Sequence, residues 1–295
     1  MIRFIFSNSL LLLSIVADVT SVYVTYSLVS GEGKLHEQGR LGVFFIGFFA
    51  IFFFIQNAYL KIIWRRKKRY AKAFSLINVG FAELHELERI KNPSADRKIH
   101  TLEKMLDSIV QTFQQITSHE CSACIKVMTQ EGSGKRPEVV TISRDSASKH
   151  KRPTHPRDEI SHYVDMNTDF SVICEEIGDP LKRYFFCNNL PWFDGYLNTR
   201  FSPKREIPFR NYPLLGFIMK LKTWPLQYRS TIVVPILPGY FQTNSTQLAG
   251  FLCVDSKSLY AFSEAYDIHI LQGISDGMYN VILEYHTSLS SMEGA

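Results

Sequence analysis

Two long apolar stretches open the chain. Residues 4–31 carry one charged side chain, Asp18, and residues 41–60 carry none. Each stretch is long enough for a helix that crosses the hydrocarbon core of a bilayer. A short polar link at residues 32–40 separates them. The pattern predicts a transmembrane hairpin within residues 1–64, with helices at about residues 4–28 and 41–63.

A run of five basic side chains, residues 65–69, follows the second apolar stretch directly. The chain has 33 Lys and Arg against 28 Asp and Glu, a net charge of +5, so this run accounts for the whole excess. The alternative interpretation of the run is that it binds nucleic acid. Because the basic residues are confined to this one segment, we expect no nucleic-acid partner. Basic residues flank membrane helices on the cytoplasmic side. The pattern predicts a multi-pass protein of the inner (plasma) membrane, with the lipid bilayer as a partner and both termini in the cytoplasm.

Between the basic run and residue 118, apolar side chains recur in steps of three and four, as on one face of a helix. Pro93 interrupts the pattern, because it disfavours helix at the preceding residue, and Ser94 can cap a second helix. We expect a juxtamembrane helical linker at residues 65–97 and a homodimer or higher oligomer in which the apolar faces pair as a coiled coil. The alternative is that the faces pack against the chain's own domain. The faces consist of Phe74, Ile77, Phe81 and Leu84, and of Ile99, Leu102, Leu106, Ile109, Phe113 and Ile116.

After residue 118 the pattern changes to the shorter period that is typical of strands. The order of elements predicts an α+β domain at residues 98–295. Its strands are predicted at residues 121–129, 137–144, 182–190, 228–237 and 247–256, and its helices at residues 167–178 and 263–286.

The last third of the chain carries a more specific pattern. A strand with a Val-Pro pair, "STIVVPI" (230–236), precedes a strand of the type Gly-x-Leu-x-x-Asp, "LAGFLCVDS" (248–256). Phe262 and an amphipathic closing helix follow. In this run the chain resembles the GAF family of sensory domains, over about residues 98–286 and most strongly over 228–286. The resemblance implies a central antiparallel sheet with flanking helices on one face and a ligand pocket on the other, beneath mobile loops.

A long insertion at about residues 191–226 mixes basic and aromatic side chains. Guanidinium groups bind phosphate in a forked geometry, and aromatic faces stack on bases. The insertion therefore predicts a lid over a small anionic, nucleotide-like ligand, while the sequence indicates no particular cofactor. The alternative is a solvated loop whose aromatic side chains close the edge of the core. Four candidate ligand-binding residues lie at the junctions of strands and lid: Asn188, Asn189, Arg200 and Arg229. We expect Tyr196 or Trp192 to stack on the ligand.

Five cysteines, an odd number in a segment assigned to the cytoplasm, predict reduced thiols rather than a disulfide framework. Cys121 and Cys124, with His119, are spaced like zinc ligands, but a strand would point the two cysteines to opposite faces. We therefore expect no metal site. The sequence has no phosphate-binding glycine motif, nucleophile elbow or kinase signature, so we expect no catalytic residues and no enzymatic activity. A redox enzyme is the alternative.

Together these patterns predict a membrane-anchored cytoplasmic sensor that binds a small ligand and signals through its helical linker to the membrane segment or a partner. The alternative is a transmembrane effector of the anti-phage type, whose hairpin perturbs the membrane when its sensing domain binds a signal nucleotide. Asp18 bears on this choice, because an acid within a membrane helix is costly and usually has a partner. It either lines a polar path in an oligomer, sits protonated against Gln56 or Asn57, or lies nearer one membrane interface than these helix bounds place it.

Overall fold

The computed structural model describes residues 37–129, 136–151, 162–200, 221–238 and 248–293. The first predicted membrane helix, at residues 4–28, lies outside these ranges, and so does Asp18. The chain divides into two compact units, residues 1–68 and residues 69–295.

The described part of the first unit is helical and belongs to α1 (Glu37–Glu88). Its large apolar side chains include several that are exposed: Phe48, Ile51, Phe54 and Ile55. Within the described ranges, no helix combines the length and the apolar character that crossing a membrane requires. The predicted transmembrane hairpin is therefore not confirmed.

The second unit is built on one five-stranded antiparallel sheet. The strands lie side by side in the order β2-β1-β5-β4-β3. The β4 and β5 sequences are nearly continuous apolar runs that are buried at every position, as expected for strands that pack on both faces. Their bounds are β1 (Cys121–Thr129), β2 (Glu138–Arg144), β3 (Phe185–Cys187), β4 (Ser230–Ile236) and β5 (Gly250–Ser256). This antiparallel sheet with flanking helices confirms the predicted α+β class of the domain.

Two long helices, α2 (Ala95–Thr117) and α5 (Glu264–Glu293), cover one face of the sheet together with the last turns of α1. The Ser94 side chain caps α2, because its Oγ accepts a hydrogen bond from the Arg97 N–H at 3.3 Å. The predicted interruption between two helices is thus confirmed. The core on this face includes Leu84, Leu106, Phe113, Ile125, Leu252 and Leu271.

The predicted apolar faces of the two helices are largely buried in this core. On α1, Ile77 and Leu84 are buried, whereas Phe74 is 57% exposed. At Gly80 the helix approaches α2 so closely that a Cβ atom would lie 2.4 Å from the Met105 Sδ. The faces therefore pack within the chain's own domain, as the alternative interpretation expects, and pairing between chains stays a prediction.

After β2, the short helix α3 (Ser146–Lys149) lies against α2, where the Ser146 N–H donates a hydrogen bond to the Asp107 Oδ1 at 2.8 Å. Shorter elements cover the other face of the sheet. They are α4 (Thr168–Glu175) and two 3-10 turns at Val164–Met166 and Leu190–Trp192. A second, smaller core lies between them and the sheet, with Phe170, Ile173, Phe185, Leu190 and Phe251 among its members. This layer leaves space for a cavity.

The third strand is shorter than the sequence predicts, Phe185–Cys187 instead of residues 182–190. The chain leaves the sheet at Asn188, because the carbonyl oxygen of this residue accepts hydrogen bonds from the Tyr260 N–H and from the Ser230 Oγ. Contacts with the segment before α5 therefore replace the strand ladder.

Candidate functional site

A cavity of about 200 Å³ lies on the sheet face opposite α2 and α5. Its floor is formed by side chains at alternate positions of the central strands, because alternate residues of a strand share a face. Cys124 and Lys126 come from β1, and Cys253 and Asp255 come from β5. In the pairing of these strands Cys124 lies directly opposite Cys253.

Two cationic side chains are held next to each other beside this floor. The Lys126 Nζ donates a hydrogen bond to the Thr141 Oγ1 at 2.9 Å, and the Arg144 Nη2 approaches the same hydroxyl at 3.4 Å. The pairing of β1 with β2 shifts register between Ile125 and Lys126, and such bulges redirect side chains. Both cations line the cavity, and Arg144 is only 6% exposed.

A buried carboxyl group faces these cations from α4. Asp169 lies in the first turn of the helix and lines the cavity. Its Oδ1 is buried and has no hydrogen-bond partner among the described residues. Burial raises the pKa of Asp169 to about 7, with the Asp255 charge acting in the same direction and Lys126 opposing it. Near neutral pH this group is therefore poised between its neutral and charged forms.

The rim of the cavity is fixed by the N-cap residue of α4. The Asn167 Nδ2 donates to the Tyr163 carbonyl oxygen and to the Thr199 Oγ1, both at 2.7 Å, and its Oδ1 accepts from the Thr199 N–H at 3.1 Å. These contacts hold the segment that carries Asn198 and Arg200, which also line the cavity.

The charges around the cavity are mixed, with cations in excess. The anionic side chains of the lining are Asp169 and Asp255, and the Asp255 Oδ1 accepts a hydrogen bond from the Thr231 Oγ1 at 2.8 Å. The cationic side chains are Lys126, Arg144, Lys151 and Arg200, with His162 nearby in the same lining. The arrangement suits a small ligand that carries both a negative and a positive group.

The structure brings Arg200 to this cavity and places the other five predicted ligand-binding residues elsewhere. The Asn188 side chain makes two hydrogen bonds to the backbone of Phe262. Its Nδ2 donates to the Phe262 oxygen at 2.7 Å, and its Oδ1 accepts from the Phe262 N–H at 3.0 Å. The Asn189 Nδ2 donates to the Tyr260 hydroxyl at 2.9 Å.

The remaining predicted residues pack beside the cavity. Tyr196 is 2% exposed, and its ring lies 6.0 Å from that of Phe185 between centroids. Trp192 is half-buried in the 3-10 turn after β3. Arg229 directly precedes β4, and its backbone N–H donates a hydrogen bond to the backbone oxygen of Ser256 at the end of β5. The predicted lid contributes through its described ends, from which Asn198, Arg200, Pro225 and Leu226 line the cavity; residues 201–220 lie outside the described ranges.

Sequence reasoning missed most of the residues that the structure brings together. One local signal was available: Lys126 and Asp255 are charged residues within largely apolar strands. A charged side chain on a strand face that other elements cover indicates a polar cavity or an ion pair there. Arg144 and Asp169 had no comparable signal.

The cysteines occupy both faces of the sheet. Cys121 belongs to the core beneath the helices and Cys124 to the core on the cavity side, which confirms that the two point to opposite faces. In the part of the chain that the structure describes, no group of three or more His, Cys, Asp or Glu side chains is placed to hold a metal ion.

Comparison with known proteins finds similarity in structure rather than in sequence. No family model matches the sequence, and no curated protein matches it. The GAF domain of an Acinetobacter phosphoenolpyruvate-protein phosphotransferase has a TM-score of 0.42 and 14% identity, covering 72% of this chain and 94% of its own. The corresponding domain from Coxiella burnetii has a TM-score of 0.35 and 13% identity, over 75% and 96%.

A third neighbour corrects a prediction. The type II free methionine-R-sulfoxide reductase of Thermoplasma acidophilum has a TM-score of 0.36 and 13% identity, covering 64% of this chain and 96% of its own. The expectation that the chain has no enzymatic activity is contradicted by this neighbour, because a reductase has a similar fold. At such identities the likeness concerns the fold alone and assigns no reaction. The second unit of this chain is an α+β domain with a charged cavity on one face of its sheet.

Proposed function

We propose that the second unit is a sensory domain whose cavity binds a small zwitterionic compound of amino-acid size. The observation that carries the proposal is the arrangement of opposite charges around one cavity. Lys126 and Arg144 lie on the β1–β2 side, and the buried carboxyl group of Asp169 faces the same space with an Oδ1 atom that has no hydrogen-bond partner among the described residues.

The volume of the cavity supports a ligand smaller than a nucleotide. Sites for drug-sized ligands commonly measure about 300–1,000 Å³, whereas this cavity measures about 200 Å³. A single amino acid or a short dicarboxylic acid fits this size, and we favour it over the nucleotide-like ligand that the sequence indicates.

The charges support a ligand with a carboxylate and an ammonium group. A guanidinium group binds a carboxylate through two parallel hydrogen bonds, and Arg144 is buried, so such a pair would be shielded from water. An ammonium group next to Asp169 would favour the charged form of that carboxyl group and supply the donor that Oδ1 lacks. Each end of a zwitterion thereby meets its counter-charge.

The test is a thermal-shift titration of the full-length chain in detergent against amino acids, dicarboxylic acids and nucleotides. A compound that binds the folded state raises the melting temperature. We expect a shift with at least one zwitterionic amino acid, and expect Arg144→Gln and Asp169→Asn each to reduce it strongly. The matched controls are Arg136→Gln and Asp165→Asn, which change an exposed ion pair outside the cavity lining. Shifts with nucleotides alone, or equal shifts in all four variants, would contradict the proposal.

Membrane anchoring and signalling belong to the same proposal. The support for an anchor is the uncharged sequence of residues 41–60, the basic run that follows, and the exposed apolar side chains of α1. Carbonate extraction of cell membranes tests it: the full-length chain should stay with the membrane, and a chain of residues 69–295 should not. Release of the full-length chain would contradict an anchor.

The support for signalling is the contact between the last part of α1 and the rest of the domain. The Tyr70 hydroxyl donates to the Asp267 Oδ1 at 2.8 Å, and the Thr112 Oγ1 approaches the Ala73 oxygen at 3.4 Å. A change in the sheet can reach α1 along these contacts. Hydrogen exchange of residues 69–88 should change when a ligand binds, and unchanged exchange there at saturating ligand would contradict this route.

A further inference from the structure

Two thiols meet on the floor of the cavity. Cys124 of β1 and Cys253 of β5 are direct partners across adjacent antiparallel strands. Both are 4% exposed, and both line the cavity. Opposite residues of such strands have Cα atoms about 4.5–5.5 Å apart, within the roughly 4.4–6.8 Å that a disulfide spans. The backbone therefore needs little movement for the two sulfur atoms to bond.

The surroundings make the two thiols unequal. A hydrogen bond from the Cys253 S–H lowers the pKa of Cys124, and the charges of Arg144 and Lys126 lower it further against the opposing effect of burial. The same hydrogen bond, together with burial, raises the pKa of Cys253 well above its usual value. Of the two sulfur atoms, Cys124 is therefore the one whose thiolate form the surroundings favour. Thiolates held beside cations are the form of cysteine that reacts with oxidants.

The other three cysteines lack such surroundings. Burial raises the pKa of Cys121 to about 11, and this residue lies on the helix side of the sheet. Burial also raises the pKa of Cys174 on α4 and of Cys187 on β3. Cys187 lies opposite Thr231 in the sheet, so its strand partner offers no second thiol. These residues serve as internal references.

We propose that Cys124 and Cys253 form a redox-active dithiol that reacts with hydrogen peroxide or a small organic hydroperoxide entering the cavity. The Cys124 thiolate attacks one peroxide oxygen, so that an S–O bond forms, the O–O bond breaks and hydroxide, or alkoxide, leaves. The Cys253 sulfur then displaces the hydroxyl group from Cys124, and the Cys253 proton leaves with that group as water. The two sulfur atoms together lose two electrons, and the peroxide gains them.

The resulting disulfide would join the two central strands and remove the negative charge of Cys124 from the cavity floor. This inference concerns the thiols alone and does not depend on which compound the cavity binds. Its failure would leave the proposed ligand site untouched, and failure of the ligand proposal would leave the thiol chemistry untouched.

The test is mass spectrometry of the full-length chain in detergent after treatment with one equivalent of hydrogen peroxide and alkylation of the remaining thiols. We expect a cross-link between Cys124 and Cys253, with the other three cysteines alkylated as before. Cys121 and Cys124 share one tryptic peptide, because no Lys or Arg occurs between Lys104 and Lys126. Fragment spectra, or the variant Cys121→Ala, assign the bond.

Two variants separate the roles of the partners. In Cys253→Ser the Cys124 sulfenic acid has no second thiol to meet, so dimedone should label Cys124 at least about tenfold faster than Cys174. In Cys124→Ser the thiol of Cys253 should stay reduced. Alkylation of both thiols in the peroxide-treated wild-type chain, cross-links shared equally among all five cysteines, or equal labelling of Cys124 and Cys174 would each overturn the proposal. The wild-type result stands even if a variant folds poorly.

Discussion

Asp169 is a buried titratable group, so the stability of the domain should depend on pH through this residue. Its pKa is raised to about 7 in the folded chain, against about 3.9 in an unfolded chain. Between these values the folded state binds more protons than the unfolded state, so stability falls as pH rises from about 4 to 7 and is level above that.

Asp169→Asn should remove this part of the pH dependence. The wild-type chain should lose on the order of 3 kcal/mol between about pH 4 and pH 8 through this group, and the variant should not. Urea unfolding at several pH values measures the difference. Asp165→Asn, at an exposed position in the preceding turn, is the control and should follow the wild type. Parallel pH profiles for all three chains would show that the Asp169 carboxyl group is not buried.

Asn188 has a structural role that a substitution can separate from ligand binding. Its side chain makes two hydrogen bonds to the backbone of Phe262. Asn188→Ala should lower the free energy of unfolding by about 2 kcal/mol, because the Phe262 groups lose both partners. Ligand-induced thermal shifts should be unchanged in size. Asn198→Ala changes the cavity lining, so it should reduce the ligand-induced thermal shift and leave the free energy of unfolding nearly unchanged. A smaller thermal shift in Asn188→Ala than in Asn198→Ala would place the ligand near Asn188.

At the scale of elements, Gly250 decides how closely β5 approaches β1. A Cβ atom at this position would lie 2.3 Å from the Lys126 backbone oxygen and 3.3 Å from the Val127 Cα. Backbone atoms in the middle of a sheet cannot move aside as a flexible side chain can. Gly250→Ala should therefore destabilise the domain by about 3 kcal/mol.

Gly273→Ala is the matched control for this prediction. Gly273 lies on α5, and a Cβ atom there would meet nothing within 4 Å. The substitution should stabilise the domain by up to about 1 kcal/mol, because alanine is the better helix former. Denaturant unfolding of the two variants gives both values, and equal effects would show that the close approach at Gly250 is absent.

The strands and helices followed from the sequence wherever local pattern determines them. β1 has the predicted bounds, residues 121–129, and Ser94 caps α2 as predicted, because alternation and capping are properties of neighbouring residues. The length of β3 was not predicted correctly. Asn188 leaves the strand because it makes hydrogen bonds with Tyr260 and Phe262, which lie far along the chain. Such contacts have no local signature.

The residues that line the cavity were harder to predict from the sequence than the bounds of β3. Its floor depends on the register between β1 and β5 and on a bulge between Ile125 and Lys126. Register is a relation between distant segments, so one sequence does not reveal that Cys124 meets Cys253. The lid drew attention because its arginines and aromatic residues are adjacent in sequence, although most of the cavity lining comes from other segments.

At the scale of the whole molecule, the last part of α1 should be needed by the domain that follows it. Ala73, Ile77, Leu84 and Leu87 of this helix are all buried. A chain of residues 69–295 should therefore melt cooperatively. A chain of residues 98–295 should be less stable by at least about 4 kcal/mol, because burial of each large aliphatic side chain contributes about 1.5–3 kcal/mol.

Differential scanning calorimetry of the two fragments checks this prediction. The shorter fragment should also bind a hydrophobic dye, because it exposes the surface of α2 that surrounds Met105. Identical melting temperatures would mean that residues 69–97 are a free linker rather than part of the domain.

The two faces of the central strands offer independent routes for divergence. Positions 124, 126, 233, 253 and 255 line the cavity, whereas positions 125, 232, 234, 252 and 254 pack in the core beneath the helices. Because these positions alternate, a lineage can replace every floor residue without touching the helix-bearing layer. Paralogues built on this framework would be free to acquire new specificities while the packing of helices on the sheet stayed the same.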